Sequence, residues 1–123
     1  MKTVISVIDD DPSMSRMLQR VIAAAGFEVV CFASAEDFLN SVVPDQAACL
    51  VLDVNLPGMS GIDLQQHLTY SGRQIPIIFI SGQADETIKR RVLDAGAAGF
   101  FNKPFRIDAL LATVRGLPAL ALN

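Results

Sequence analysis

Five short, mostly apolar segments alternate with five amphipathic stretches along this chain of 123 residues. The short segments hold four to six residues each and lie at residues 4–8, 28–32, 48–52, 75–80 and 98–101. After each of them, hydrophobic residues recur at the spacing of a helix with one buried face. Strands that alternate with helices form a parallel sheet, and right-handed crossovers place helices on both faces. The pattern therefore predicts an α/β fold of five strand–helix units.

Residues typical of helix starts support this division. Asp11 suits the N-cap of the first helix, and Pro12 suits its first position. Ser34 and Ser60 are each followed three residues later by an aspartate, which is the pattern of a capping box. The predicted helix boundaries therefore agree with the hydrophobic periodicity.

Charge and hydropathy exclude several classes of protein. The net charge is −3, and the one basic run, at residues 89–91, is more typical of a solvated helix face than of a DNA contact. We expect no direct nucleic-acid contact from this segment. The first apolar run is too short for a secretory leader or a membrane span. We therefore expect a cytoplasmic protein without a membrane anchor.

Polar side chains stand where the predicted strands end. Asp9 and Asp10 follow the first strand, Asp53 the third and Ser81 the fourth, while Lys103 comes just after the fifth. The carboxyl ends of parallel strands meet at one edge of the sheet, where such folds bind ligands. Because clustered carboxylates repel one another, they favour a cation between them. The sequence therefore predicts a cation site at this edge.

This set of side chains suits phosphoryl transfer. Mg²⁺ takes oxygen ligands, usually from one or two carboxylates, waters and phosphate oxygens. A carboxylate can also be the nucleophile and become an aspartyl phosphate. A lysine ammonium and a serine hydroxyl would each bind a phosphoryl oxygen.

Four motifs resemble those of the receiver domains of two-component response regulators, in the same order: VIDDDP at 7–12, LDVNLPGMSG at 52–61, ISG at 80–82 and GFFNKPF at 99–105. The resemblance covers residues 1–116 and leaves 117–123 as a C-terminal tail or the start of a linker. Residues 34–39 and 96–105 are most similar to the nitrogen-fixation-regulator branch. The resemblance implies a flavodoxin-like, doubly wound (βα)5 sheet with strand order 2-1-3-4-5.

The resemblance also implies a role for each acid at the edge. Asp53 would accept the phosphoryl group and contact the metal, which is Mg²⁺ or Mn²⁺ in this family. Asp10 would bind the metal directly and Asp9 mainly through water. Asn55 would contribute its backbone carbonyl.

The remaining site residues would read out the phosphorylated state. Lys103 would pair with the phosphoryl group, and the Lys103–Pro104 peptide bond would be cis. Ser81 would move toward the phosphoryl group as a switch. Phe100 stands where the family has an aromatic switch, although an aromatic residue in a buried strand also suits a core position.

The implied function is a phosphorylation-dependent signalling switch. A sensor histidine kinase or a phosphotransfer protein would phosphorylate Asp53. This would alter the surface formed by the fourth helix, fifth strand and fifth helix, through which a homodimer could form. The domain would catalyse only its own phosphorylation and dephosphorylation. Members of this branch usually carry a helix-turn-helix output domain, and the resemblance leaves open whether one follows residue 123.

Two other functions remain open. The first is a Mg²⁺-dependent phosphatase with an aspartyl-phosphate intermediate, although such enzymes usually carry a second acid at the position of Asn55. The second is an interaction module that works without phosphorylation.

Three further residues are expected to be structural and not functional. His67 suits a helix surface, and Cys31 and Cys49 would lie two strands apart, about 9–10 Å, beyond the reach of a disulfide.

Overall fold

The computed structural model describes residues 4–41, 47–83 and 86–118. The strands are β1 (Val4–Ile8), β2 (Glu28–Phe32), β3 (Ala47–Asp53), β4 (Ile77–Ser81) and β5 (Gly99–Asn102). The helices are α1 (Pro12–Ala24), α2 (Ala35–Leu39), α3 (Gly61–Tyr70), α4 (Glu86–Asp94) and α5 (Ile107–Arg115). The predicted alternation of strands and helices is confirmed.

The five strands form one parallel sheet in the order β2-β1-β3-β4-β5. This confirms the flavodoxin-like fold and its strand order. Cys31 and Cys49 pair with Val7 and Ile5 on opposite sides of β1, and both thiols are free. Of the described helices, none combines the length and the hydropathy needed to span a membrane.

Hydrophobic cores lie on both faces of the sheet, because successive side chains of a strand point to opposite faces. The first core joins the sheet to α1 and α5, and its buried residues include Ile5, Val7, Leu18, Ile22, Leu110 and Val114. The second joins it to α2, α3 and α4, and includes Ile8, Phe38, Leu52, Leu64, Phe79 and Val92. With helices on both faces, only the edges of the sheet are open for a site.

Helix starts follow the sequence closely. The side chain of Asp11 caps α1, with Pro12 as its first residue. Ser60 and Asp63 form a complete capping box at the start of α3, whereas the structure shows only the Ser34 half of the box predicted for α2. These caps fix where each helix begins relative to the strand before it.

Two strand boundaries differ from the prediction in a way that matters for the site. β3 includes Asp53 and β4 includes Ser81, so both residues belong to the hydrogen-bonded sheet instead of the turns that follow. β4 begins at Ile77 because Pro76, which precedes it, has no N–H to donate to the ladder. Asp53 and Ser81 are therefore held by rigid backbone.

Candidate phosphoacceptor and metal site

The carboxyl edge of the sheet brings the predicted site residues together. Asp53 ends β3, and its backbone lies opposite Ile80 in the β3–β4 ladder. Asp9 directly follows β1, and its N–H donates to the carbonyl of Phe32 at 3.1 Å. The N–H of Lys103 donates to the carbonyl of Ser81 at 2.7 Å. Backbone pairing thus fixes the carboxyl ends of β1, β3, β4 and β5, each to a neighbouring strand.

Three carboxylates form a group suited to a metal ion. Ligand oxygens of Asp9, Asp10 and Asp53 all lie within 4.8 Å of one another. Asp9 and Asp53 are 2% and 5% exposed, whereas Asp10 is exposed. Hard oxygen ligands with an open side toward solvent fit Mg²⁺, which keeps several waters when it binds protein. The donor set therefore fits the metal expected from the sequence.

Asn55 lies at the start of the loop after β3. Its backbone N–H donates to Oδ1 of Asp53 at 3.1 Å, and its side chain is exposed. This turn fixes the Asn55 backbone beside the Asp53 carboxylate. The backbone of Asn55 therefore lies beside the acidic group.

Lys103 provides the positive charge at this edge. Its Nζ lies 3.0 Å from Oδ2 of Asp9 and 3.3 Å from Oδ2 of Asp53. The Lys103–Pro104 peptide bond is cis. Burial alone would lower the pKa of Lys103, but the hydrogen bonds and charges of the two aspartates together raise it. The lysine is therefore held in its charged form between the two carboxylates.

Asp53 is in a less favourable environment for its charge. Burial raises the pKa of Asp53, and the N–H of Asn55 opposes this effect. The negative charge of Asp9 raises the pKa further, while Lys103 lowers it. The net result is a pKa raised from the usual value for an aspartate. A second cation at this edge would therefore relieve a charge that Lys103 only partly neutralises.

Helix α3 packs directly against the backbone of Asp53. A Cβ added at Gly61 would clash with the carbonyl oxygen of Asp53 and lie 3.0 Å from Cα of Val54. The N–H of Gly61 donates to the carbonyl of Val54 at 3.0 Å. Only glycine allows the helix to start this close to the end of β3.

Ser81 is engaged with the loop that follows β4. Its hydroxyl donates to the carbonyl of Gln83 at 2.9 Å and accepts from the N–H of Gln83 at 3.2 Å. Phe100 is half-buried and packs against the core on the α3 and α4 side of the sheet. The structure thus places Ser81 at the site edge and Phe100 on the flank of the sheet.

One contact near the site has no signal in the local sequence. Oε2 of Glu36, on α2, accepts from the N–H of Met59 in the β3–α3 loop at 2.9 Å. An exposed glutamate in the first turn of a helix is usually explained by the helix dipole alone. No local pattern could have revealed a bond between residues 23 positions apart.

Comparison with known proteins agrees with this geometry. Residues 5–115 match the family model described as the response regulator receiver domain. The chain is 44% identical over 119 residues to the response regulator protein TodT of Pseudomonas putida, covering 97% of this chain and 52% of TodT. It is 35% identical over 111 residues to the transcriptional regulatory protein FixJ of Azorhizobium caulinodans, covering 90% of this chain and 53% of FixJ.

A solved structure of the response regulator StyR superposes with a TM-score of 0.88 at 43% identity, covering 100% of this chain and 61% of that one. The predicted likeness to nitrogen-fixation regulators is confirmed, although the identity to TodT is higher than that to FixJ. The chain spans about half the length of the curated relatives it matches.

The chain belongs to the family of response regulator receiver domains. Receiver domains serve as phosphorylation switches in two-component signalling and bind Mg²⁺ at an acidic aspartate cluster. They interact with histidine kinases or phosphotransfer proteins. In this chain Asp9, Asp10 and Asp53 form such an acidic cluster, and Lys103 lies beside it.

Proposed function

We propose that this domain accepts a phosphoryl group on Asp53 from a sensor histidine kinase or a phosphotransfer protein. The observation that carries the proposal is the meeting of three carboxylates and one ammonium at the same edge. A buried core needs none of these groups, whereas phosphoryl transfer needs a nucleophile with positive charge around it. We assign residues 1–116 to the receiver domain and 117–123 to a tail or linker.

The chemistry is a displacement at phosphorus. A carboxylate oxygen of Asp53 attacks, a P–O bond forms, and the P–N bond to the donor histidine breaks, leaving the electron pair on the imidazole nitrogen. Asp10, Asp53 and the carbonyl of Asn55 would hold Mg²⁺ or Mn²⁺, with Asp9 contributing mainly through water, and the metal would supply positive charge for the phosphoryl oxygens. Lys103 would neutralise a further phosphoryl oxygen. Hydrolysis would remove the group: water attacks phosphorus, the bond from phosphorus to the Asp53 oxygen breaks, and inorganic phosphate leaves the free carboxylate.

Ser81 connects this chemistry to the rest of the domain. To donate to a phosphoryl oxygen, its hydroxyl has to give up the hydrogen bond that it donates to the carbonyl of Gln83. The loop before α4 would then lose one of the hydrogen bonds that attach it to β4. Phosphorylation would thereby bias the position of α4 and of the α4–β5–α5 surface, with Phe100 packing differently in the two states.

The changed surface is where we expect output to be controlled. The α4–β5–α5 surface would contact an output domain, a partner protein or a second copy of the domain. The basic run at residues 89–91 lies on α4 and is short, which is more typical of a solvated helix face, so we assign no nucleic-acid contact to the described helices and strands. Leu93 on α4 is 39% exposed and would be part of this contact.

Intact mass spectrometry tests the proposal. The protein is incubated with acetyl phosphate and Mg²⁺, with parallel samples in EDTA and a parallel Asp53→Asn variant. We expect one added phosphoryl group in the Mg²⁺ sample and none in the other two. Added phosphate that persists in Asp53→Asn, or that forms equally in EDTA, contradicts the proposal.

A further inference from the structure

The β3–α3 loop, residues 54–60, carries the backbone carbonyl of Asn55. Its start is fixed by the hydrogen bond from Asn55 N–H to Asp53, and its end by the capping box of Ser60 with Asp63. Between these ends, the N–H of Met59 donates to Oε2 of Glu36 at 2.9 Å. This bond ties the loop to a different part of the fold, helix α2.

Gly58 leaves room for the glutamate. Its φ is +74°, and an added Cβ would lie 2.5 Å from Oε2 of Glu36. The carboxylate therefore covers the bare backbone of Gly58 while it accepts from the next residue. The chain has a glycine, Gly58, at the point where the Glu36 side chain crosses the loop. The two residues are therefore sterically complementary.

Helix α2, which carries Glu36, is anchored in the hydrophobic core. Ala35 and Phe38 on either side of Glu36 are fully buried, and the rings of Phe38 and Phe32 meet edge to face at 5.5 Å. The hydrogen bond from Met59 lowers the pKa of Glu36, so the carboxylate accepts in its charged form. Charge-assisted bonds of this kind are stronger than neutral ones.

We propose that Glu36 is a positioning residue for the metal site, which holds the β3–α3 loop so that the carbonyl of Asn55 is presented beside Asp53. The proposal rests on the proposed function, because it assigns that carbonyl to the metal. Glu36 itself contacts neither metal nor phosphoryl group. Its effect passes through the backbone from Met59 to Asn55, as outer residues commonly orient metal ligands.

Mg²⁺ affinity is the measurement that separates this role from a merely structural one. Isothermal titration calorimetry with MgCl₂ would compare Glu36→Ala and Glu36→Gln with the matched controls Asp37→Ala and Asp37→Asn. Asp37 neighbours Glu36 on α2 and carries the same charge. We expect Glu36→Ala to weaken Mg²⁺ binding about three- to tenfold, the size that one hydrogen bond supplies. Glu36→Gln should lose less Mg²⁺ affinity, because its amide oxygen can still accept the hydrogen bond from the N–H of Met59.

The phosphorylation rate with acetyl phosphate gives a second readout. For Glu36→Ala we expect half-saturation at a higher Mg²⁺ concentration, with the wild-type rate restored at saturating Mg²⁺. Gly58→Ala should weaken Mg²⁺ binding when Glu36 is present. The same change should reduce Mg²⁺ affinity less in the Glu36→Ala background, because the clash with Oε2 of Glu36 is gone. The melting temperature of each variant, measured in EDTA, identifies any that fail to fold.

Two results would overturn the inference. One is a Mg²⁺ affinity of Glu36→Ala equal to that of Asp37→Ala. The other is that the effects of Glu36→Ala and Gly58→Ala on the free energy of Mg²⁺ binding add exactly in the double variant. If wild-type protein binds no Mg²⁺ and takes no phosphate on Asp53, the proposed function itself fails. The two failures are therefore distinguishable.

Discussion

Nζ of Lys103 lies 3.3 Å from Oδ2 of Asp53 and also donates to Oδ2 of Asp9 at 3.0 Å. One ammonium group thus binds two carboxylates, one directly after β1 and the other at the end of β3. The backbone of Lys103 is itself fixed to β4 through the carbonyl of Ser81. The ammonium is therefore a structural link across the edge as well as a candidate phosphate ligand.

Replacing Lys103 by methionine should destabilise the metal-free protein. The change leaves Asp9 and Asp53 facing each other without a cation, and Lys103 is only partly exposed. We expect a loss of about 1–2 kcal/mol in the free energy of unfolding, between the values for exposed and buried ion pairs. Urea unfolding in EDTA measures this loss, and Mg²⁺ should reduce it. Lys89→Met on α4 is the control, and an equal loss in both variants would contradict the role of Lys103.

Asp53→Asn should stabilise the metal-free protein at neutral pH. The folded-state pKa of Asp53 is raised, mainly by burial. A raised pKa means that the protonated form favours folding, so this contribution is present at low pH and is lost as pH rises through the folded pKa. At neutral pH the wild type carries the unfavourable charge and the asparagine variant does not.

Thermal unfolding in EDTA tests whether Asp53→Asn stabilises or destabilises the protein. We expect the melting temperature of Asp53→Asn to exceed that of wild type by a few degrees, about 1 kcal/mol for a domain of this size. The difference should shrink as pH falls toward the pKa. Glu28→Gln removes an exposed charge from β2 and is the control. A variant less stable than wild type at neutral pH would refute the assigned cause of the shift.

Gly61→Ala tests the close contact between α3 and the acceptor strand. The added Cβ meets backbone atoms of Asp53 and Val54, which cannot rotate away. Overpacking of this kind costs about 1–3 kcal/mol. Chemical denaturation should show this loss, whereas Gly82→Ala, whose Cβ would meet nothing within 4 Å, should change stability little. Equal stability of the two variants would argue against the contact.

Ser6 on β1 offers a test away from the site. Its hydroxyl is fully buried and has no hydrogen-bond partner among the described residues. A buried hydroxyl without a partner costs roughly 1–3 kcal/mol. Ser6→Ala should therefore raise the free energy of unfolding by about 1 kcal/mol, as urea unfolding would measure. Destabilisation would mean that the hydroxyl has a partner after all.

The sequence predicted what depends on local pattern. Strand–helix alternation, the caps at Asp11 and Ser60 and the chemistry of the strand ends all follow from neighbouring residues. The order of the strands depends on pairing between distant segments, and it came from resemblance to a known family. Glu36 was missed for the same reason, since its partner Met59 is distant in sequence. The attachment of Ser81 to Gln83 is local, but strand-end serines have several possible partners.

Locating the phosphoryl group tests the central claim most directly. After incubation with acetyl phosphate and Mg²⁺, borohydride reduction converts an aspartyl phosphate to homoserine, which tandem mass spectrometry can assign to one residue. The account predicts homoserine at position 53, in place of Asp53, and only when Mg²⁺ is present. Homoserine at Asp9 or Asp10 instead, or no conversion at any aspartate, would contradict it.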